Sequence, residues 1–181
     1  DRGYVCTLSA MVIKSTTGHI FHVGDSRIYR LSGNSLEQLT NDHRVVVSSQ
    51  QSYLGRALGV NSQIEIDHLT FKVEKGDTFI LVTDGIYEHV ADRLMAKAVR
   101  DGADDLDHAA KAIVELAFAQ GSTDNLTVQI VRVEEVPDGD AGEVFGQPHE
   151  LPLAPLLEAR AVFDGYRVVP ELHGSSPSHI H

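Results

Sequence analysis

The 181-residue sequence contains one cysteine, and its 15 lysines and arginines are outnumbered by 26 aspartates and glutamates. A single thiol, Cys6, excludes an internal disulfide and any multi-cysteine zinc site, and its apolar setting predicts a small core residue. The shortage of positive charge, with a net charge of -11, argues against a broad nucleic-acid footprint, which needs clustered lysine and arginine. The same acidity suits cation binding. No apolar run approaches the roughly 20 residues of a membrane helix, and no basic-then-apolar leader is visible. These residues therefore read as soluble and, with so little cysteine, as suited to a reducing cytoplasm. The chain begins at Asp1 without an initiator methionine, so it also reads as a piece of a longer protein.

At 42% hydrophobic and 23% charged, the remainder is ordinary globular composition. An apolar stretch from Val5 to Ile13, a turn centred on Thr17 and Gly18, and a second apolar stretch over "HIFHVGD" predict a hairpin. Gly33-Asn34, between "RIYRLS" and "SLEQLT", predicts another, because both residues tolerate positive φ. The first half is thus an antiparallel meander. "QIEIDHLTF" alternates as a half-buried strand, Gly76 turns the chain, and "TFILVT" is a buried strand. Helical spacing follows twice. The first segment, Ile86 to Arg100, is interrupted. The second starts from a cap at Asp104 or Asp105, sets Leu106, Ala109, Ile113, Leu116 and Ala117 on one face, and stops at Gly121. Asn125 to Val133 returns to strand. Residues 134–161, rich in proline, glycine and acid, form a linker, and Val162 to Leu172 begins a further strand.

Three aspartates stand at strand ends: Asp25 in "FHVGDSR", Asp84 in "FILVTDGIYE" and Asp124 in "GSTDNLTV". Each alone is equally a turn residue that hydrogen-bonds its own backbone. Brought to one sheet edge, they would repel one another and require a counter-charge, for which a hard divalent cation is the usual solution.

"VGDSRIYRL", "LTNDH", "RALG", "DTFILVTDGIYE" and "GSTDNLTVQIV", in that order, resemble the metal-dependent protein phosphatases of type 2C, and the resemblance runs to Val133. It implies an α+β fold, a four-layer α/β/β/α sandwich of two antiparallel sheets between helices. It also implies two or three Mg²⁺ or Mn²⁺ ions at one end of the sheets. By position, Asp84 and Asp124 are implied ligands of the binuclear centre and Asp25 a contributor to a third metal site. Gly85, Asn125 and Glu88 are implied supporting residues, though Glu88 reads equally as a solvated helix residue. Ser26 and Arg27 read as hairpin supports. His43 reads as structural, with a proton-donor role as the alternative.

His19 and His22 lie in a strand and His149, His173, His179 and His181 in loop-like sequence; solvated side chains are the default for all of them. None forms the helical His-x-x-x-His pair of a zinc site. The implied reaction is hydrolysis of phosphoserine or phosphothreonine on a protein by metal-activated water, without a covalent phosphoenzyme.

The family's early motifs, an acidic residue, a phosphate-binding arginine and an Asp-Gly ligand segment, have no counterpart here. The matching part is shorter than the roughly 200 to 250 residues of a complete domain of this kind. The expectation is therefore a C-terminal part of a phosphatase domain over residues 1–133, inactive alone, in an active parent that carries any membrane anchor elsewhere. "FDGYRVVPELHGSSP" is similar to the start of a protein kinase N-lobe, so residues 162–181 would open a covalently linked kinase domain whose catalytic motifs lie beyond this chain. A non-catalytic regulatory module that keeps the fold, and a generic cation-binding β domain, are the alternatives.

Overall fold

A computed structural model describes residues 4–48, 51–60 and 63–137 and the short strands Val162–Phe163 and Tyr166–Arg167. The chain divides into two units, 1–139 and 140–181. In the first, β1 (Leu8–Lys14), β2 (Thr17–Val23) and β7 (Asp67–Lys72) form an antiparallel sheet in the order β1-β2-β7. A second sheet, ordered β4-β3-β8-β9, contains β3 (Arg27–Ser32), β4 (Ser35–Gln38), β8 (Thr78–Val82) and β9 (Val128–Arg132). A separate hairpin pairs β5 (Arg44–Ser48) with β6 (Gln51–Leu54).

The two large sheets face one another. The register places Ile20 between Met11 and Leu69 on one face of the first sheet. From that sheet Met11 and Phe71 pack with Phe79, Leu81 and Val131 of the second. The other side of the second sheet carries the helices α1 (Asp84–Tyr87), α2 (Asp92–Asp101) and α3 (Leu106–Ala119). Ile80, Ile86, Met95, Val99 and Ile113 are fully buried between sheet and helices. Each such side chain contributes about 1.5–3 kcal/mol of hydrophobic burial. This α+β arrangement agrees with the expected class. Among the described residues, helices lie on one side of the paired sheets only.

Several local expectations are corrected. The first turn falls at Ser15 and Thr16, where Ser15 takes φ 54°, two residues before the predicted centre. Gly18 is a strand residue, and its hydrogen side chain makes room for the Phe71 ring, which a Cβ would approach to 2.4 Å. β7 begins only at Asp67, and Ile64 and Ile66 precede it as exposed coil. The interrupted helix resolves into α1 and α2. Cys6 is exposed: it bridges Leu58 outside the main strands, on a chain entrance where Tyr4 and Val5 are exposed too. α3 agrees closely with its prediction, capped by Asp105, whose carboxylate accepts from the His108 amide at 2.9 Å.

In the second unit, β10 (Val162–Phe163) and β11 (Tyr166–Arg167) form an antiparallel pair, so the expected single strand reverses on itself. The rest of the expected linker and kinase-like segment, with His149, His173, His179 and His181, lies outside the described residues.

Candidate metal centre

β8 is buried at four of its five residues and gives way at Thr83, the N-cap of α1. α3 ends at Ala119, and Gly121, at φ 90°, reverses the chain so that the Ser122 amide donates back to the Ala117 carbonyl at 3.1 Å. That reversal delivers the Ser122–Asn125 loop beside Thr83–Gly85. The Thr83 hydroxyl donates to the Asn125 carbonyl at 2.8 Å and accepts from the Thr127 amide at 3.1 Å. The Ser122 hydroxyl donates to the Gly85 carbonyl at 2.8 Å. A Cβ on Gly85 would stand 2.7 Å from the Asn125 carbonyl oxygen and 3.1 Å from Asp124 Cβ. Glycine is therefore required by close backbone approach rather than by its torsion. Asp84 and Asp124 thus come from adjacent loops.

Asp25 reaches the same end of the sheets from the β2–β3 connection. The Tyr87 hydroxyl donates to its carbonyl at 2.9 Å. The Arg27 guanidinium lies 3.6 Å from the Tyr87 ring centroid and holds Asp42 through two nitrogens, at 2.9 and 2.7 Å. Arg27 is a support, as its sequence position suggests. Ser26 contributes a 3.1 Å hydroxyl pair with Thr7.

One side chain unites the acids. Arg44, the first residue of β5, donates from Nε to Asp25 Oδ2 at 2.7 Å, from Nη2 to Asp84 Oδ2 at 3.0 Å and from Nη1 to Glu88 Oε1 at 2.5 Å. Burial alone would lower its pKa, but the hydrogen bonds it donates to Asp25 and Glu88 outweigh that, and the guanidinium stays charged. Asp84 is pushed above the usual carboxylate range, first by burial, then by the charges of Asp25 and Asp124; the Gly85 amide and Arg44 offset this only in part. One cation does not neutralise the cluster.

The structure therefore gathers Asp25, Asp84 and Glu88 on one guanidinium and sets Asp124 close enough to Asp84 to repel it. Asp124 itself is exposed, and its Oδ1 accepts from the Asn125 amide at 2.6 Å. Among the described residues, no three histidine, cysteine or acidic side chains are already disposed around one ion position. The donor chemistry, all carboxylate oxygen with surplus negative charge, fits a hard divalent cation. Arg44 was missed in the sequence. An arginine directly after "LTNDH", two strands on from Asp25, was the available signal.

The histidines separate clearly. The Gly24 amide donates to His43 Nδ1 at 3.1 Å, so the proton sits on Nε2, which donates to Asp67 Oδ2 at 3.0 Å. Arg56 holds the other Asp67 oxygen at 3.0 Å. This imidazole, 7% exposed, braces the Asp25 loop. His22, expected to be solvated, is 1% exposed because strand alternation turns it inward with Ile20. Its Nε2–H donates to the Asn41 carbonyl at 3.0 Å, and Nδ1 accepts from the Ser9 hydroxyl at 2.8 Å. His19, on the opposite face, stacks on His68.

Residues 2–123 match the family described as Protein phosphatase 2C. The serine/threonine phosphatase stp of Listeria welshimeri is 31% identical over 144 residues, covering 71% of this chain and 57% of the relative. The serine/threonine protein phosphatase PstP of Mycobacterium tuberculosis is 27% identical over 179 residues, covering 88% of this chain and 34% of the relative. That match is longer than the 1–133 segment alone provides. Among solved structures, PppA, a regulatory component of the Pseudomonas aeruginosa type VI secretion system, superposes with a TM-score of 0.64 at 29% identity, over 70% of this chain and 56% of that one. The PstP catalytic domain with 2 manganese ions gives 0.64 at 26% identity, over 72% and 60%. The chain thus spans a little over half the length of the first of these curated relatives. With a family match across most of its described residues and the fold shared with solved members, the chain belongs to the protein phosphatase 2C family.

Proposed function

We propose that this chain forms the C-terminal part of a metal-dependent phosphatase domain that hydrolyses phosphoserine or phosphothreonine on proteins. The observation that carries the reading is the convergence of the Asp84, Asp124 and Asp25 loops at one end of the paired sheets, with a carboxylate surplus that raises Asp84. Asp84 and Asp124 would hold Mn²⁺ or Mg²⁺, with Asp25 toward a further ion. When bound, the ions would supply a nucleophilic water near neutral pH and neutralise phosphoryl charge. Gly85 lets the two ligand-bearing loops touch, Asn125 accepts the hydroxyl that locks them, and Glu88 adds negative charge at the rim. His43 has no free proton to give, because Nδ1 accepts a backbone amide and Nε2–H is committed to Asp67.

The matched part spans 57% of the Listeria relative and 34% of PstP, so the remaining ligands belong in an upstream segment of the parent. The 181-residue chain alone is then inactive, and the parent active. Hydrolysis of an aryl phosphate with Mn²⁺ tests this. The parent should turn over and lose activity on Asp84→Ala; turnover by the chain alone that depends on Asp84 contradicts the inactivity. A parent with no phosphatase activity would favour the binding-module reading, to which the guanidinium among the carboxylates lends some support. The domain reading beyond Val133, a linker and then the opening of a kinase domain, rests on sequence resemblance. Sequencing past His181 tests it, since a lysine-bearing strand and metal-binding aspartate motifs must follow.

A further inference from the structure

We infer that Arg44 is a built-in competitor for the metal site, a tethered cation that a divalent ion must displace. The inference deepens the proposed function and rests on its reading of Asp25 and Asp84 as metal-ligating residues.

Three observations carry it. First, the three nitrogens of one planar guanidinium each meet a different acid, Asp25, Asp84 and Glu88, at 2.5–3.0 Å. Single exposed ion pairs are worth little, whereas one guanidinium shared among three acids is a charge network. Two of the partners are residues that the metal site requires, so the guanidinium and a divalent ion compete for the same oxygens.

Second, the position is enforced by the backbone. The His43 amide donates to the Gly24 carbonyl at 2.8 Å, and the Gly55 amide donates to the His43 carbonyl at 2.7 Å. The His43 ring holds Gly24 from the other side. The root of Arg44 is therefore fixed to the loop that bears Asp25, so any departure from the acids must be a movement of the side chain. The Arg44 side chain is 24% exposed, which leaves a solvent route for that movement.

Third, the charge cannot be switched off. Guanidinium stays protonated at any pH at which the protein folds. Only a stronger cation or a movement of the β5–β6 hairpin can vacate the oxygens. The acids need a counter-charge in every state, and Arg44 supplies it without metal. A divalent ion carries twice the charge and binds carboxylate oxygen without the directional demands of N–H donors. Displacement is then a matter of ion concentration, and Arg44 sets the threshold.

Titration calorimetry with Mn²⁺ on chelator-stripped protein tests the inference, using the wild-type chain, Arg44→Gln, Arg44→Lys and Asp84→Asn. Arg44→Gln should bind Mn²⁺ about tenfold more tightly, as expected from removing three competing, partly buried ion pairs. Lysine keeps the charge but cannot bridge three carboxylates, so Arg44→Lys should fall between glutamine and wild type. Without metal, Arg44→Gln should melt below wild type, and Mn²⁺ should raise its melting temperature by more. Equal or weaker Mn²⁺ binding by Arg44→Gln, with binding lost in Asp84→Asn, overturns the inference and leaves the reading of the aspartates standing. Absence of binding in wild type and Arg44→Gln alike overturns both. Should Arg44→Gln fail to fold by circular dichroism, the lysine variant decides: tighter binding than wild type supports competition, and equal binding overturns it.

Discussion

Thr83 Oγ1 lies 2.8 Å from the carbonyl oxygen of Asn125, and this hydrogen bond ties the loop that carries Asp84 to the loop that carries Asp124. The same hydroxyl accepts from Thr127, so one side chain satisfies a backbone acceptor and a backbone donor. Thr83→Val keeps the shape and removes both. It should cost about 0.5–1.5 kcal/mol, the net worth of a typical hydrogen bond whose partners water can reach. Thr83→Ser should retain most of the stability. Urea denaturation of the three proteins checks this; a valine variant as stable as wild type would mean that the loops are joined by other means.

Gly85→Ala places a Cβ 2.7 Å from the Asn125 carbonyl oxygen. Backbone on both sides must give way, which should cost about 1–3 kcal/mol of stability by overpacking. Because the displaced partner is the Asp124 loop, the variant should also bind Mn²⁺ more weakly. Thermal melts with and without Mn²⁺ measure both effects, and a variant with unchanged melting in both conditions would contradict the close approach.

His22 gives a pH dependence with a defined sign. Burial first, and then the neighbouring His43, hold its imidazole below the ordinary histidine range; the Asn41 carbonyl and the Asp67 charge pull partly the other way. The unfolded chain therefore takes up this proton first as pH falls. Stability from neutral His22 is full above about pH 6.5 and is lost as pH falls from there toward the folded pKa. Urea midpoints should decline across this window in wild type and decline less in His22→Asn, whose amide cannot titrate. Equal declines would assign the effect to other groups.

His43→Ala removes the acceptor for the Gly24 amide and the donor to Asp67. With the ring 7% exposed, water replaces these partners poorly, and the loss should be about 1–3 kcal/mol. In the parent, if it is active as proposed, a bracing role predicts that the variant changes Mn²⁺ affinity and leaves the shape of the pH–rate profile unaltered. Loss of one limb of that profile would instead assign His43 a proton-transfer role.

What the sequence made legible follows from how local each signal is. The Gly33-Asn34 hairpin and the α3 stripe are set by residues within one element, and both appear as read. Gly18 was misread because glycine looks the same whether a turn or a neighbouring ring requires it; Phe71, which requires it, is on another strand. His22 and His19 are three residues apart in one strand, so only the alternation of the sheet separates the buried ring from the stacked, half-buried one. Cys6 was misread because a small residue's burial depends on what covers it. The aspartates were found through ordered motifs, whereas Arg44 acts across 19 residues to Asp25 and 40 to Asp84, a distance that local pattern does not span.

The central claim is that the end of the sheets where Asp84 meets Asp25 and Asp124 is a divalent-cation site. Depletion of the free Mn²⁺ electron paramagnetic resonance signal measures it directly. Wild-type chain should remove Mn²⁺ from solution in a saturable manner, and Asp84→Asn, folded by circular dichroism, should not. No depletion by wild type, or equal depletion by both proteins, would contradict the account.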